Sequence, residues 1–331
     1  MNQIPFGVVG VGHLGAHHAR LAAQIPSLKL LGVFDQDPQR CREIAAECAC
    51  QACPSLDHLL QQVQAVSIVV PTEQHFTVAE QALQQGCHLF VEKPITSSTE
   101  QARALVQHSQ AQGIVLQVGH IERFNPAFLA LQDYQLAPMF IEAHRLSQFN
   151  PRGTDVSVVL DLMIHDIDIV LSLIPFPVQA IHACGVGVVS GSEDIANARL
   201  EFAHGAVANL TASRISAKDM RKMRMFQKSA YLSMDFLHHK TEILHLQDAA
   251  LADNLASTCI GHIGTGPKAQ SVLLHTPEKA TVNALHLELE SFAQAILGDS
   301  PPPVTGMQGL RALEVAETIM AQMAAQPVPR A

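Results

Sequence analysis

The sequence predicts an α/β fold: an N-terminal doubly wound parallel sheet, then a C-terminal α+β domain with a large open, mostly antiparallel sheet. Three observations carry this expectation. Over the first 120 residues, short apolar strand-like runs alternate with helical stretches through brief connections. A glycine turn, Gly10-Val11-Gly12-His13-Leu14-Gly15, joins the first such run to the first helix. After Gly119 the pattern changes to segments of alternating polarity joined by turns rich in Gly and Asn, as in Ala203-His204-Gly205.

Taken in order, Phe6–Gly10 reads as a strand and His13 to Gln24 as a helix. Leu28–Phe34 is a second strand ending at Asp35, followed by a helix from Pro38 to Ala49, a short strand and a helix over Leu56–Gln62. Ala65–Val70 is a buried strand, Glu73–Gln85 a helix stopped by Gly86, and His88–Val91 a strand feeding Glu92-Lys93-Pro94. Ser97 and Glu100 have capping-box spacing and open a helix to Gln112, and Ile114–Val118 closes the unit. Beyond it, Asn125-Pro126 has the composition of a helix start. Strands are expected at Met139–Leu146, Val178–Val189, Ile195–Phe202, Ala206–Ile215, Tyr231–Phe236 and Thr241–Leu246. Ser157–Ile174 is an apolar helix ended by Pro175, and two further helices lie near Asn283–Leu297 and Met307–Met323. The division expected is 1–120 for the first domain and 121–331 for the second.

Composition narrows the partners. The 331 residues are 48% hydrophobic and 15% charged, enough to bury a sizeable core. A formal charge of −9 argues against nucleic acid or an anionic membrane, though not against an anionic small molecule held by a local cationic cluster. No apolar run is long enough to span a bilayer and the first residues have no basic leader, so a cytoplasmic protein is expected. Seven cysteines fit reduced thiols better than a disulfide framework. Cys41, Cys48, Cys50 and Cys53 lack a completing ligand pair, and the 18 histidines include no HExxH, so no metal is expected.

The glycine turn is the Rossmann dinucleotide pattern. Gly10 allows the tight turn, Gly12 lets backbone approach a pyrophosphate, Gly15 packs helix on strand, and the helix start offers free N–H groups. Asp35, at the tip of the second strand, is placed to accept from an adenosine ribose, and Asp37 is an alternative for that role. A 2′-phosphate beside a carboxylate would be repelled, so NAD is expected rather than NADP.

A second set of residues points to chemistry. Asp161, His165 and Asp168 are spaced i, i+4, i+7 and share one face of an otherwise apolar helix, which is costly unless they serve one another or a cleft. The plainer alternative is a satisfied core histidine with two capping carboxylates. Lys93 follows a parallel strand at its C-terminal end, where ligands of open α/β sheets bind; its plainer alternative is a surface lysine. Removing a hydride from an alcohol requires the hydroxyl proton to leave, which calls for a base of near-neutral pKa and a cation for the developing alkoxide.

On Gly10–Gly15, Pro71-Thr72 with His75, Glu92-Lys93-Pro94 and Asp161-Leu-Met-Ile-His165, the chain resembles the Gfo/Idh/MocA (glucose–fructose oxidoreductase, inositol dehydrogenase, rhizopine catabolism) family across nearly its full length. The resemblance implies a catalytic set of Lys93, Asp161 and His165, with the roles of Lys93 and His165 exchangeable. It implies cofactor contacts from Gly10, Gly12, His13, Leu14, Gly15, Asp35, Pro71, Thr72, His75, Glu92 and Lys93, and a homo-oligomer, dimer or tetramer, built through the open sheet. Many members carry a Gly-Gly pair before the Asp-x-x-x-His helix; here the stretch is Thr154-Asp155-Val156-Ser157-Val158-Val159. Val118–Pro126 and the run from Arg145 through Arg152 and Asp155 to Asp166 are similar to bacterial nucleotide-sugar 3-dehydrogenases. That similarity implies oxidation at C3 of UDP-N-acetylglucosamine, feeding an aminotransferase on the way to lipid A of lipopolysaccharide. The substrate contacts implied are Lys93, Arg123, Asn125, Arg145, Arg152, Asp155, Asp161 and His165, with Arg214 a further cation for the diphosphate. Alternatives are a free-sugar or inositol dehydrogenase of the same family and a non-catalytic NAD-binding regulator.

Overall fold

The computed structural model describes residues 3–149, 156–247, 256–265, 268–278 and 280–325. The chain forms two compact units: residues 1–124 with 282–314, and residues 125–281 with 315–331. A single cut at residue 120 therefore misses a return of the chain, since residues 282–314 pack with the N-terminal unit.

The first unit is a six-stranded parallel sheet. Its elements are β1 (Ile4–Val9), α1 (His13–Ala22), β2 (Leu28–Phe34), α2 (Pro38–Glu47), β3 (Gln51–Ala52) and α3 (Leu56–Leu60). They continue with β4 (Ala65–Ile68), α4 (Thr72–Gln84), β5 (His88–Glu92), α5 (Thr99–Ala111) and β6 (Leu116–Gly119). The strand order is β3-β2-β1-β4-β5-β6, with the direction of travel reversing between β1 and β4. Crevices at such a reversal hold ligands beyond the carboxyl ends of the strands, and Gly10 and Asp35 follow the carboxyl ends of β1 and β2 there.

Caps account for the helix starts. Asp37 accepts from the Gln39 and Arg40 N–H groups ahead of Pro38, so it caps α2. The α5 cap is Ser98, which accepts from Gln101 N–H, whereas the expected Ser97 donates to the Gln101 side chain instead.

The returning segment explains why residues 282–314 join this unit. Helix α8, residues Ala284–Leu297 after a chain of short second-unit elements, carries Leu285, Leu289, Phe292 and Ala293 on one stripe. Phe292 packs edge-on against Phe6 and Phe90, with ring centroids 6.5 and 5.8 Å apart. Helix α9 (Gly306–Ala324) follows and contributes to both units.

The second unit is a nine-stranded sheet. After a 3₁₀ turn at Ile121–Phe124 come α6 (Pro126–Leu129) and β7 (Phe140–Leu146). A π-helical turn at Val159–Met163 runs into α7 (Ile164–Leu173). Then follow β8 (Val178–Val186), β9 (Ile195–Phe202), β10 (Val207–Ser213), β11 (Met220–Gln227) and β12 (Ala230–Asp235). The last strands are β13 (Lys240–Leu246), β14 (Thr258–Ile263) and β15 (Gln270–His275). Their order is β14-β15-β13-β12-β11-β7-β10-β9-β8, antiparallel except for the β7–β10 pair. Strands β11, β14 and β15 were not among the expected segments. Among the described residues no helix is long and apolar enough to cross a membrane.

Candidate active site

The first glycine turn is built by exclusion. Gly10 has φ +83°, and a Cβ there would lie 2.6 Å from the Val69 carbonyl oxygen. A Cβ at Gly15 would overlap the Gly10 carbonyl, so the helix can approach the strand only at a glycine. Gly12 differs: a side chain there would meet nothing within 4 Å. No packing within the protein requires a glycine at position 12, which leaves room for a ligand as its physical reason. Gly12 also starts α1 with no side-chain cap, so first-turn N–H groups are available to an anion.

Asp35 closes the other side of the turn. Its two carboxylate oxygens accept from Val11 N–H at 2.6 Å and Asp37 N–H at 2.9 Å. Asp37 caps α2 through one oxygen, Oδ1, which accepts from the Gln39 and Arg40 N–H groups. Arg40 Nε donates to the Val11 carbonyl at 2.9 Å and so helps hold the loop. A cleft of about 540 Å³ lies against these residues, lined by Gly10, Gly12, Asp35, Gln36, Pro71 and Gln74 among others. Gln36 and Gln74 were not anticipated, because nothing in their local pattern separates them from ordinary surface glutamines. His13 and Leu14 are exposed on the first turn of α1. An uncapped helix start, an open Gly12 and a carboxylate at the strand tip fit a dinucleotide.

Two expected cofactor residues prove to be framework. His75 is buried, with Nδ1 2.9 Å from the Pro94 carbonyl oxygen and Nε2 2.9 Å from that of Val70. Burial holds its imidazole below the ordinary pKa, against two carbonyls that favour the protonated ring. It therefore ties the turn after β5 to α4 rather than facing the cleft. Thr72 opens α4 beside the cleft-lining Pro71. Glu92 is likewise engaged from within: Oε1 lies 3.1 Å from His18 Nε2, and Oε2 accepts from Lys93 N–H at 3.2 Å. His18, on α1, and Ser67, on β4, were missed. The signal was present, since His18 falls on the same buried stripe as Gly15, Ala19 and Ala22. Lys93 itself is half-buried at the carboxyl end of β5, and Arg123 is half-buried in the 3₁₀ turn.

In the second unit, Asp161 and His165 are half-buried where the π turn meets α7. The expected uninterrupted α-helix from Ser157 is thus irregular at Asp161, and π turns of this kind recur at functional sites. Asp161 N–H donates to the Ser157 carbonyl at 2.9 Å. Asp168 is fully buried and belongs to the core rather than to an open face.

The neighbouring cations are largely structural. Arg145 is buried and donates through Nε at 3.1 Å and Nη2 at 2.8 Å to the two oxygens of Asp166, the residue after His165. Its charge is thereby matched inside the protein, which removes it as a cation for a diphosphate. Arg214, also buried, donates through Nη2 to the Val156 carbonyl and ties the end of β10 to the start of the π turn. Asn125 caps α6 through its side-chain oxygen and donates its amide to the Phe236 carbonyl at 3.0 Å, so it too is framework. Arg152 and Asp155 lie outside the described residues.

Comparison with known proteins agrees with this construction. Residues 4–120 match the Gfo/Idh/MocA oxidoreductase family model, described as an NAD-binding Rossmann fold, and residues 133–229 match the family's C-terminal domain. UDP-N-acetylglucosamine 3-dehydrogenase of Acidithiobacillus ferrooxidans is 42% identical over 94% of this chain and 94% of its own. This chain belongs to the Gfo/Idh/MocA oxidoreductase family. A solved structure of the Acidithiobacillus enzyme superposes with a TM-score of 0.88, at 41% identity over 98% of this chain and 99% of that one. The NAD-dependent scyllo-inositol 2-dehydrogenase of Bacillus subtilis, another relative, is 28% identical over 65% of this chain and 68% of its own. As a family member the protein is an NAD-dependent dehydrogenase, and its NAD-binding Rossmann domain contains the cleft lined by Gly12 and Asp35.

Proposed function

We propose that the protein oxidises the C3 hydroxyl of UDP-N-acetylglucosamine to a ketone. The observation that carries this reading is the 42% identity, over 94% of both chains, to an enzyme named for that reaction. The presence of Lys93, Asp161 and His165 in this sequence supports it. Bound NAD supplies the two-electron acceptor. His165 takes the hydroxyl proton on a ring nitrogen, Lys93 Nζ donates to the oxygen as negative charge develops there, and Asp161 orients His165. The reverse assignment makes Lys93 the base. Lys93→Arg separates the two, because a guanidinium keeps the cation and cannot serve as a base at neutral pH. Arg123 and Arg152 are proposed as cations for the diphosphate.

The 3-keto product is the substrate an aminotransferase needs to make a 3-amino sugar, here for lipid A. The enzyme works in the cytoplasm as a homodimer or homotetramer. The test is NADH formation by the purified protein with UDP-N-acetylglucosamine, free N-acetylglucosamine and scyllo- or myo-inositol, with mass spectrometry of the product. The nucleotide sugar is expected to be the preferred substrate. Turnover of inositol without turnover of the nucleotide sugar overturns the reading. In the same assay Lys93→Ala and His165→Ala each lower kcat by about a hundredfold or more.

A further inference from the structure

Behind the Glu92-Lys93-Pro94 turn lies a buried polar network. His18 is fully buried on α1, among small residues on the same stripe, with its ring edge-on to Phe90 at 5.5 Å between centroids. An imidazole in such a place is costly unless both nitrogens find partners. Nδ1 lies 2.8 Å from Ser67 Oγ on β4, while Nε2 approaches Glu92 Oε1 on β5 at 3.1 Å, within ion-pair reach but outside the direction of a hydrogen bond. The second Glu92 oxygen accepts from the backbone N–H of Lys93. The carboxylate is pressed against β6, where a Cβ on Gly119 would come within 2.8–3.0 Å of its three atoms. One carboxylate thus links a buried imidazole to the backbone of the residue that carries the reactive amine.

We infer that His18 is a positioning residue for Lys93, acting through Glu92 to fix the carboxyl end of β5. The inference rests on the reading of Lys93 given above. The charged and titratable groups facing Glu92 are His18 from α1, the ammonium of Lys93, and His75 from α4 at longer range. Burial alone would raise the Glu92 pKa, but His18 and Lys93 outweigh it and keep the carboxyl below its ordinary value. A change at His18 that removes its contact with Glu92 therefore alters the geometry at Lys93.

Two substitutions of similar size separate the partners. The amide of His18→Gln reaches where Nε2 stood and keeps a donor toward Glu92, whereas His18→Asn reaches only where Nδ1 stood and keeps Ser67. Each full-length variant is assayed for kcat and for KM of NAD. The reactivity of Lys93 toward acetic anhydride is followed across pH by peptide mass spectrometry. His18→Gln is expected to stay within about threefold of wild type in kcat with an unchanged Lys93 labelling profile, while His18→Asn loses about tenfold or more in kcat, keeps KM for NAD, and shifts the labelling profile. Identical Lys93 labelling in the two variants, or a loss in His18→Asn confined to KM for NAD, overturns the inference. Should His18→Asn not fold, Glu92→Gln is expected to shift Lys93 labelling in its place, and an unshifted profile is equally fatal. Wild-type turnover in Lys93→Ala would sink the catalytic reading of Lys93, while the labelling arm still decides whether His18 positions it.

Discussion

Arg145 and Asp166 form a doubly hydrogen-bonded ion pair, at 3.1 and 2.8 Å, with both side chains buried. The pair joins β7 to α7 one residue beyond His165, and the Arg145 guanidinium also sits 5.9 Å over the Phe236 ring. A residue type that invites a reading as a phosphate ligand is here part of the frame that holds the histidine.

Breaking one side of that pair should be worse than replacing both. Asp166→Ala removes two charge-assisted hydrogen bonds from a buried guanidinium and is expected to cost about 3–5 kcal/mol of unfolding free energy in urea, whereas Arg145→Met with Asp166→Leu recovers much of the loss. A double variant no more stable than Asp166→Ala would contradict this.

Gly15 and Gly12 of the first turn should fail in different ways. Gly15→Ala drives a methyl into the Gly10 carbonyl and is expected to destabilise the protein by roughly 3 kcal/mol or more. Gly12→Ala meets no protein atom, so its melting temperature should match wild type without ligand, while NAD affinity falls about tenfold or more. Calorimetry with and without NAD reads both effects.

Asp35 is expected to set the cofactor preference. Its carboxylate is fixed by the Val11 and Asp37 N–H groups and keeps lone pairs for a ribose. Asp35→Ser is expected to weaken use of NAD and to raise the relative kcat/KM for NADP by about tenfold or more, since the repulsion of a 2′-phosphate is gone. An unchanged NADP-to-NAD ratio would count against the assignment.

Asp194 offers a pH test remote from the chemistry. Burial opposes its ionisation, but the Ser190 hydroxyl and the N–H groups of Val189, Ser190 and Val188 outweigh that and hold its carboxyl well below the usual range. A carboxyl with a depressed folded pKa adds stability that is complete above its unfolded pKa, near 3.8, and is lost as pH falls toward the folded value. Asp194→Asn should therefore lower stability at pH 7 by about 2–3 kcal/mol and flatten its decline below about pH 4. Urea unfolding at neutral and acid pH checks this.

The parallel sheet was legible because each of its elements is a local pattern with a local stop. Leu28–Phe34 and the glycine turn were read from their own residues, and Pro38 and Gly86 mark helix ends by their backbone chemistry. The strands missed in the second unit lack that contrast. In β11 the buried positions are Met223 and Met225, but their face also carries Arg221 and Gln227, while exposed Met220 and Phe226 share the other face with Lys222 and Arg224, so apolar and polar do not sort cleanly by face. Strand β14 lies at the sheet edge with Ile260 and Ile263 exposed, and no buried face imposes a period on it. The π turn at Asp161 has no Pro or Gly to announce it.

The sequence by itself determined the local geometry that depends on short spacing: the glycine turn at Gly10, Gly12 and Gly15 with Asp35 at the strand tip, Lys93 at the end of β5, and Asp161 and His165 one turn apart. A few adjacent residues fix such features through backbone geometry alone. Only the tertiary structure decided which polar side chains are left to meet a ligand. His75, Asn125, Arg145 and Arg214 are drawn into the frame, and His18 is brought to Glu92. A buried polar group must be satisfied by whatever the fold places beside it, and those partners lie on other strands and helices, beyond the reach of any local pattern.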